Sequence, residues 1–184
     1  MPPNRPAPRM VYRPEGGLVP DESVARFFAG FRITVDVDVP DRDAEGILCA
    51  IGDWTGGCAL FVRDGHLVFA LNRAGDPTTV TSDETVTPGR RQLACEYVPG
   101  AAPALALFED DRVLTRATLP FPVPMVWQHG GTMLSLGRDR GLPVSSDYEV
   151  PFPWTGTLHE VVVETGAAAR RDDAAAVRTA LHHE

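Results

Sequence analysis

The sequence predicts an all-β protein, an antiparallel sandwich of two sheets followed by a short C-terminal helix or tail. Three observations carry that expectation. First, about eleven short strand-like runs follow one another with turn signals between them, and no helical periodicity appears until the end of the chain. Second, FRITVDVDV at 31–39 alternates strictly, with Ile33, Val35, Val37 and Val39 set against Arg32, Thr34, Asp36 and Asp38. That is the period of a strand with one face in a core and its polar face in water. Third, GGCALFVRDGHLVFALN at 56–72 places Asp64-Gly65 between two runs that are apolar on both faces. Asp-Gly suits a two-residue type I′ turn because both central positions need positive φ. Strands apolar on both faces lie in the middle of a sheet covered on two sides.

The elements follow in order. Residues 1–9 carry four prolines and almost no hydrophobic side chain, as a disordered arm would. Residues 10–13 suit a first edge strand, and 23–30, with Phe27 and Phe28, fit either a short helix or a packed loop. After the strand at 31–39, residues 47–51 read as a fully apolar central strand, and 52–57 as a loop carrying Trp54. The hairpin at 56–72 follows, then a Thr-rich edge strand at 78–82. Pro88-Gly89 turns into 91–98, where Leu93, Cys95 and Tyr97 face inward. A second hairpin joins 104–108 to 113–119, with Asp111 where glycine would be easiest. Residues 121–131 form a proline-rich crossing loop holding Trp127 and His129, and 132–137 another strand. Residues 138–154 are a long excursion without periodicity, and 155–164 close the sheet. The domain boundaries are therefore an arm at 1–9, a β-sandwich at 10–165, and a helical or frayed tail at 166–184, where Val177 and Leu181 are four residues apart.

Composition limits the function. The net charge is −8 with no Lys/Arg cluster, so a nucleic-acid partner, which needs a basic stripe, is not expected, nor is an anionic membrane surface. Cys49, Cys58 and Cys95 are odd in number, without CxxC spacing, and lie inside apolar runs. They read as buried free thiols in a reducing compartment. MPPNRPAPRM has no apolar core of a signal peptide, and no apolar run approaches the about 20 residues of a membrane helix. A cytoplasmic location is the expectation.

AEGILCAIGDWTGGCALFVRDGHLVFALN and LGRDRGLPVSSDYEVPFPWTGTLHEVVVE together resemble the C-terminal β-sandwich region of actinobacterial arylsulfatases. The match is carried by Ala44-Glu45-Gly46, Gly56-Gly57, Asp64-Gly65, Asn72, Pro88-Gly89-Arg90 and Gly137-Arg138-Asp139, extended by Pro143-Val144, Asp147-Tyr148 and 152–156. It runs from about residue 12 to 164 and implies a concanavalin-A-like or laminin-G-like jelly roll. It does not imply sulfatase activity. The C/S-x-P-x-R motif of those enzymes is matched at none of the three cysteines, and their α/β catalytic domain has no counterpart in this sequence.

Candidate chemistry is sparse. HExxH and paired-His spacings are missing, so no metal or other cofactor is expected; His159 falls on a strand surface and His182-His183 in the tail. Asp139 and Asp147 are hard oxygen donors that a rim calcium would use. Arg138 and Arg140 compete for them, and ion pairs of Arg138 with Asp147 or Asp139 with Arg140 are the simpler expectation. Ser135, Ser145 and Ser146 lack a nucleophile-elbow context, and Asp36 and Asp38 belong to a solvated strand face. Loop aromatics beside a few polar groups suit a sugar or flat ligand. That makes Trp54, Arg63, Asn72, Trp127 and Arg138 the candidate ligand-binding residues, although Trp54 and Trp127 would also serve to plug the ends of the sandwich. The leading expectation is a non-catalytic binding module for a small molecule or carbohydrate. A cofactor-independent cyclase, isomerase or lyase is the alternative, with His129 or His66 as acid/base and Asp139 as its partner. A structural protein that pairs as a homo-oligomer is the third. Because the central strands are apolar on both sides, something must cover the second face: the loops at 121–129 and 138–154, or a pocket between them and the sheet.

Overall fold

The alternation at 31–39 becomes β2 (Phe31–Val39), with Phe31, Ile33, Val35, Val37 and Val39 all buried. In the computed structural model of the chain, which describes residues 8–20, 23–24, 30–123 and 133–166, β2 is the third strand of a six-stranded sheet. The order is β1 (Arg9–Tyr12), β11 (Thr157–Thr165), β2, β7 (Gly89–Val98), β8 (Ala104–Glu109) and β9 (Arg112–Thr118). A second sheet runs β10 (Ser135–Leu136), β3 (Gly46–Asp53), β4 (Gly56–Arg63), β5 (His66–Arg73) and β6 (Asp76–Thr85). Every pairing is antiparallel, and the expected two-sheet sandwich is what the chain forms. No helix among the described residues is long and apolar enough to cross a membrane.

The inner faces meet in one core, where Val35, Leu93 and Leu107 oppose Leu60, Leu67 and Leu71. Phe31 anchors it, 5.3 Å from the Tyr97 ring and 6.1 Å from Phe69 across the gap between the sheets. The three cysteines are free and buried in this core. Burial pushes the Cys49 thiol up to about 12 and those of Cys58 and Cys95 well above their ordinary value.

The central hairpin forms as expected, with Arg63 opposite His66 and with Asp64 and Gly65 at φ 50° and 75°. A second such turn, Ala74-Gly75 at φ 54° and 87°, joins β5 to β6 without a sequence signal. Asn72 makes it: its side-chain oxygen accepts from the Gly75 N–H at 2.9 Å, holding an alanine where alanine is disfavoured.

Three expectations need correction. In the β8–β9 turn the left-handed residue is Asp110 (φ 55°), not Asp111. Asp110 is fixed from both sides by Gln92, whose N–H reaches its carboxylate at 2.9 Å and whose carbonyl accepts its N–H at 2.7 Å. Arg32 does not face water; it is 3% exposed, 2.8 Å from the Glu96 carboxylate and 4.4 Å above the Phe108 ring, because β7 and β8 supply a lid for its guanidinium. Of the strand expected at 132–137, the described residues form only Ser135–Leu136, since the chain turns away at Gly137 (φ 69°) to begin the excursion.

Elsewhere on that outer face β2 keeps its polar row of Thr34, Asp36 and Asp38, while the neighbouring strands add Ala94, Ala106, Val113 and Val162. Arg90 hydrogen-bonds Asp36 and holds its carboxyl below the usual carboxylate range, and His159 meets Asp38 at 2.8 Å. The five-stranded sheet is the opposite case, and it is where a site can be built.

Candidate functional site

The apolar outward side chains of β3, β4 and β5 are Ile47, Ala50, Ala59, Phe61, Val68 and Ala70, all buried. Residues 138–154 cover them, pressing Val144, Tyr148 and Phe152 onto the sheet as a second, smaller core. The Tyr148 ring lies 5.1 Å from Phe61 and 5.8 Å from Phe152. Attachment is partly backbone: the Ile47 N–H donates to the Phe152 carbonyl at 2.9 Å. Gly46 permits that approach, since a Cβ there would stand 2.3 Å from the Pro153 carbonyl oxygen.

Inside the excursion Asp139, Val144 and Tyr148 satisfy one another, whereas the Trp154 indole N–H is buried without a partner among the described residues. The Tyr148 hydroxyl donates to Asp139 Oδ2 at 2.7 Å and accepts the Val144 N–H at 2.9 Å. Asp139 Oδ1 accepts the Gly141 N–H. Burial raises the Asp139 carboxyl above its ordinary value, and these two donors pull it partly back. The Tyr148 phenol is pushed up by burial and by that carboxylate.

Where the cover ends, a pocket of about 200 Å³ opens at the β4–β5 turn. Phe61 and Val68 supply apolar wall, and Arg63, Asp64, His66, Thr79, Thr81 and Asp147 the polar lining. The His66 Nδ1 lies 2.8 Å from the Ser82 carbonyl, which can only accept, so Nδ1 carries the proton and Nε2 is left as the acceptor. Asp147 is steadied by the Ser145 hydroxyl at 3.0 Å. The lining thus holds guanidinium donors, carboxylate acceptors and two hydroxyls that do both, beside apolar carbon. That mixture matches a polyhydroxylated ring with one C–H face. The volume falls below the about 300–1,000 Å³ of drug-sized ligand sites, which suits one ring.

The structure distributes the sequence candidates over separate places. Arg63 and His66 share this pocket. Trp54 is 59% exposed at the β3–β4 turn, at the other end of those strands. Asn72 is 2% exposed, and its amide donates to the carbonyls of Trp54 (3.0 Å) and Val144 (2.7 Å), so it braces turn and cover together. Arg138 and Asp139 line a different cleft, on the β10 side, so His66 and Asp139 are not brought together. His129 and Trp127 lie outside the described residues. The expected pairs Arg138–Asp147 and Asp139–Arg140 do not form, because Tyr148 and Gly141 take up the Asp139 carboxylate. No group of three or more His, Cys, Asp or Glu among the described residues could hold a metal ion. Sequence reasoning missed Thr79 and Thr81 as lining; their two-residue spacing on β6, opposite Ala70 and Val68, is the signal that would have placed them on this face.

No family model and no curated protein matches the chain. Solved structures do match it. The CBM40 of the Ruminococcus gnavus IT-sialidase, bound to α2,3-sialyllactose, superposes with a TM-score of 0.60 at 14% identity over 83% of each chain. The leech intramolecular trans-sialidase in complex with 2,7-anhydro-Neu5Ac gives 0.62 at 12% identity, over 89% of this chain and 25% of that one. Domains LG4-5 of the mouse laminin α1 chain give 0.51 at 14% identity, over 90% of this chain and 40% of that one. The likeness is one of fold, and it agrees with a concanavalin-A-like or laminin-G-like sandwich.

Proposed function

We propose that this chain is a non-catalytic carbohydrate-binding module that takes a sugar ring at the pocket lined by Arg63, His66, Thr79, Thr81 and Asp147. The observation that carries the reading is the second core: a sheet face made apolar, then covered by a 17-residue excursion that stops short of the β4–β5 turn and leaves a small opening rimmed by polar side chains. The same architecture in the Ruminococcus gnavus CBM40 is bound to sialyllactose, which supports a glycan as ligand. The resemblance to the arylsulfatase C-terminal region fits as well, since an accessory sandwich there would hold substrate for a separate catalytic domain.

The test is titration of isotope-labelled protein with lactose and with 3′-sialyllactose, followed by amide NMR. Shifts centred on residues 63–66, 79–81 and 147 are expected. The double variant Thr79→Val/Thr81→Val, on an edge strand with exposed or half-exposed side chains, removes two hydroxyls and should weaken binding about tenfold, at roughly 0.5–1.5 kcal/mol per lost hydrogen bond. Absence of any sugar-induced shift at these residues would refute the reading. Recovery of chemically altered sugar would instead favour the enzyme alternative, with His66 Nε2 as the group to examine.

A further inference from the structure

The charges around the sugar pocket do not cancel. One guanidinium, that of Arg63, lines it against two carboxylates, those of Asp64 and Asp147. Arg63 lies 3.7 Å from Asp64 beside it on the turn, so it already has its counter-charge. Asp147 enters from the opposite side, on the covering excursion, and has no cationic partner among the described residues. Only the Ser145 hydroxyl donates to it there, at Oδ2. His66 adds an independent constraint. Its Nδ1 is held by the carbonyl of Ser82, a buried residue in the stretch where β6 shifts register against β5. Ser82 is itself fixed, since its hydroxyl accepts the Leu67 N–H at 3.0 Å and donates to the Glu84 carbonyl at 2.6 Å. The neutral ring therefore presents Nε2 as a lone-pair acceptor, and Nε2 has no partner among the described residues.

The pocket is thus short of hydrogen-bond donors and carries an excess of negative charge. Thr79 and Thr81 adapt to either need, because a hydroxyl both donates and accepts. What the lining calls for is a ligand group rich in N–H and positively charged. A sugar hydroxyl brings one donor and no charge. An ammonium brings three donors and a full charge, enough for the Asp147 carboxylate, His66 Nε2 and one threonine hydroxyl together. Acetylating that nitrogen removes the charge and two of the three donors. A carboxylate in the same place would face Asp147 as a like charge, with only the already paired Arg63 to receive it.

We propose that this pocket selects a sugar with a free amino group, its ammonium held between Asp147 and His66 Nε2. The proposal rests on the carbohydrate-binding reading, and the test separates the two. Glucose, glucosamine, N-acetylglucosamine and glucuronic acid are titrated at neutral pH into labelled wild type, Asp147→Asn and Asp76→Asn, with affinities read from NMR shifts. Asp76→Asn makes the same charge change at the far end of β5 and β6, outside the lining. Glucosamine should bind wild type about five- to tenfold more tightly than glucose or N-acetylglucosamine, since a charge-assisted hydrogen bond is roughly twice as strong as a neutral one. Glucuronic acid should bind most weakly, and the His66 Nε2 resonance should move on adding glucosamine. Asp147→Asn should bring glucosamine down to the level of glucose, with a spectrum away from the pocket that overlays wild type; Asp76→Asn should keep the preference. Three results overturn this inference and leave the sugar pocket standing: glucosamine binding no tighter than glucose, glucuronic acid binding tightest, or a preference that Asp147→Asn and Asp76→Asn affect equally. A stationary His66 Nε2 signal overturns it as well. No shift with any of the four sugars sinks the carbohydrate reading itself.

Discussion

Replacing Tyr148 by Phe is the sharpest test of how the second face is held. The substitution keeps the ring that packs on Phe61 and Phe152 and removes only the hydroxyl. Two losses follow. The Val144 N–H loses its acceptor at a buried position, which costs about 1–3 kcal/mol when a donor is left unsatisfied. Asp139 loses a donor to a carboxylate, a bond worth about 1.5–3 kcal/mol. Asp139 retains the Gly141 N–H, so part of the second loss is recovered. A net destabilisation of about 2–4 kcal/mol remains, or roughly 4–16 °C in Tm for a chain of this size. The pH dependence separates the two parts. Burial already raises the folded-state pKa of Asp139 above its ordinary 3.8, so stability is greatest below that value and declines as pH rises through the folded pKa. Tyr148 opposes the rise; without its hydroxyl the folded pKa climbs further and the decline extends to higher pH. Urea unfolding at about pH 4 and about pH 8 should therefore show the smaller deficit at the acidic end, where the lost Tyr148–Asp139 bond is to a neutral carboxyl and not to a carboxylate. A deficit below about 0.5 kcal/mol, within the range of an ordinary surface substitution, would refute the account of this cover. So would a deficit that does not change with pH.

Other consequences are simpler to check. With Cys49 pushed to about 12 and the other two thiols raised as well, all three cysteines should resist a thiol reagent at neutral pH until the protein unfolds, then react together; fast labelling of any one would contradict their burial. Asn72→Ala removes three hydrogen bonds that tie the β3–β4 turn, the β5–β6 turn and the cover, and should cost about 2–4 kcal/mol by chemical denaturation. Gly46→Ala drives a methyl group into the Pro153 carbonyl and strains a φ of 126°. The cover should lift, seen as limited proteolysis within 138–154 while the inner core still unfolds cooperatively; an unchanged cleavage pattern would count against the close contact.

The layers were legible because they rest on period and turn chemistry. Alternation at 31–39 and double-sided hydrophobicity around Asp64-Gly65 each admit one arrangement, and β2, β4 and β5 follow it. The need for a cover over the second face was legible too, since Ala59, Phe61, Val68 and Ala70 could not be left in water. What the sequence hides is where individual polar side chains point. Arg32 reads as a surface residue by alternation, yet Glu96 and Phe108, distant in sequence, bury it. Asn72 reads as a strand-end ligand contact, yet its amide is consumed by Trp54, Gly75 and Val144. Partners of this kind are fixed by register across strands, which no local pattern encodes.

The excursion at 138–154 shows the same limit in the form that matters for function. From composition alone, Arg138, Asp139, Arg140 and Asp147 suggest mutual ion pairs that would pin a loop and leave nothing for a ligand. The structure resolves the competition differently, because a tyrosine nine residues along the chain from Asp139 reaches its carboxylate from inside. Once Asp139 is committed inward, two arginines are released outward and Asp147 is free to line the pocket beside His66. One buried hydrogen bond therefore anchors the segment that bounds the sugar pocket. Loosening it in Tyr148→Phe should thus weaken stability and sugar binding at that pocket together.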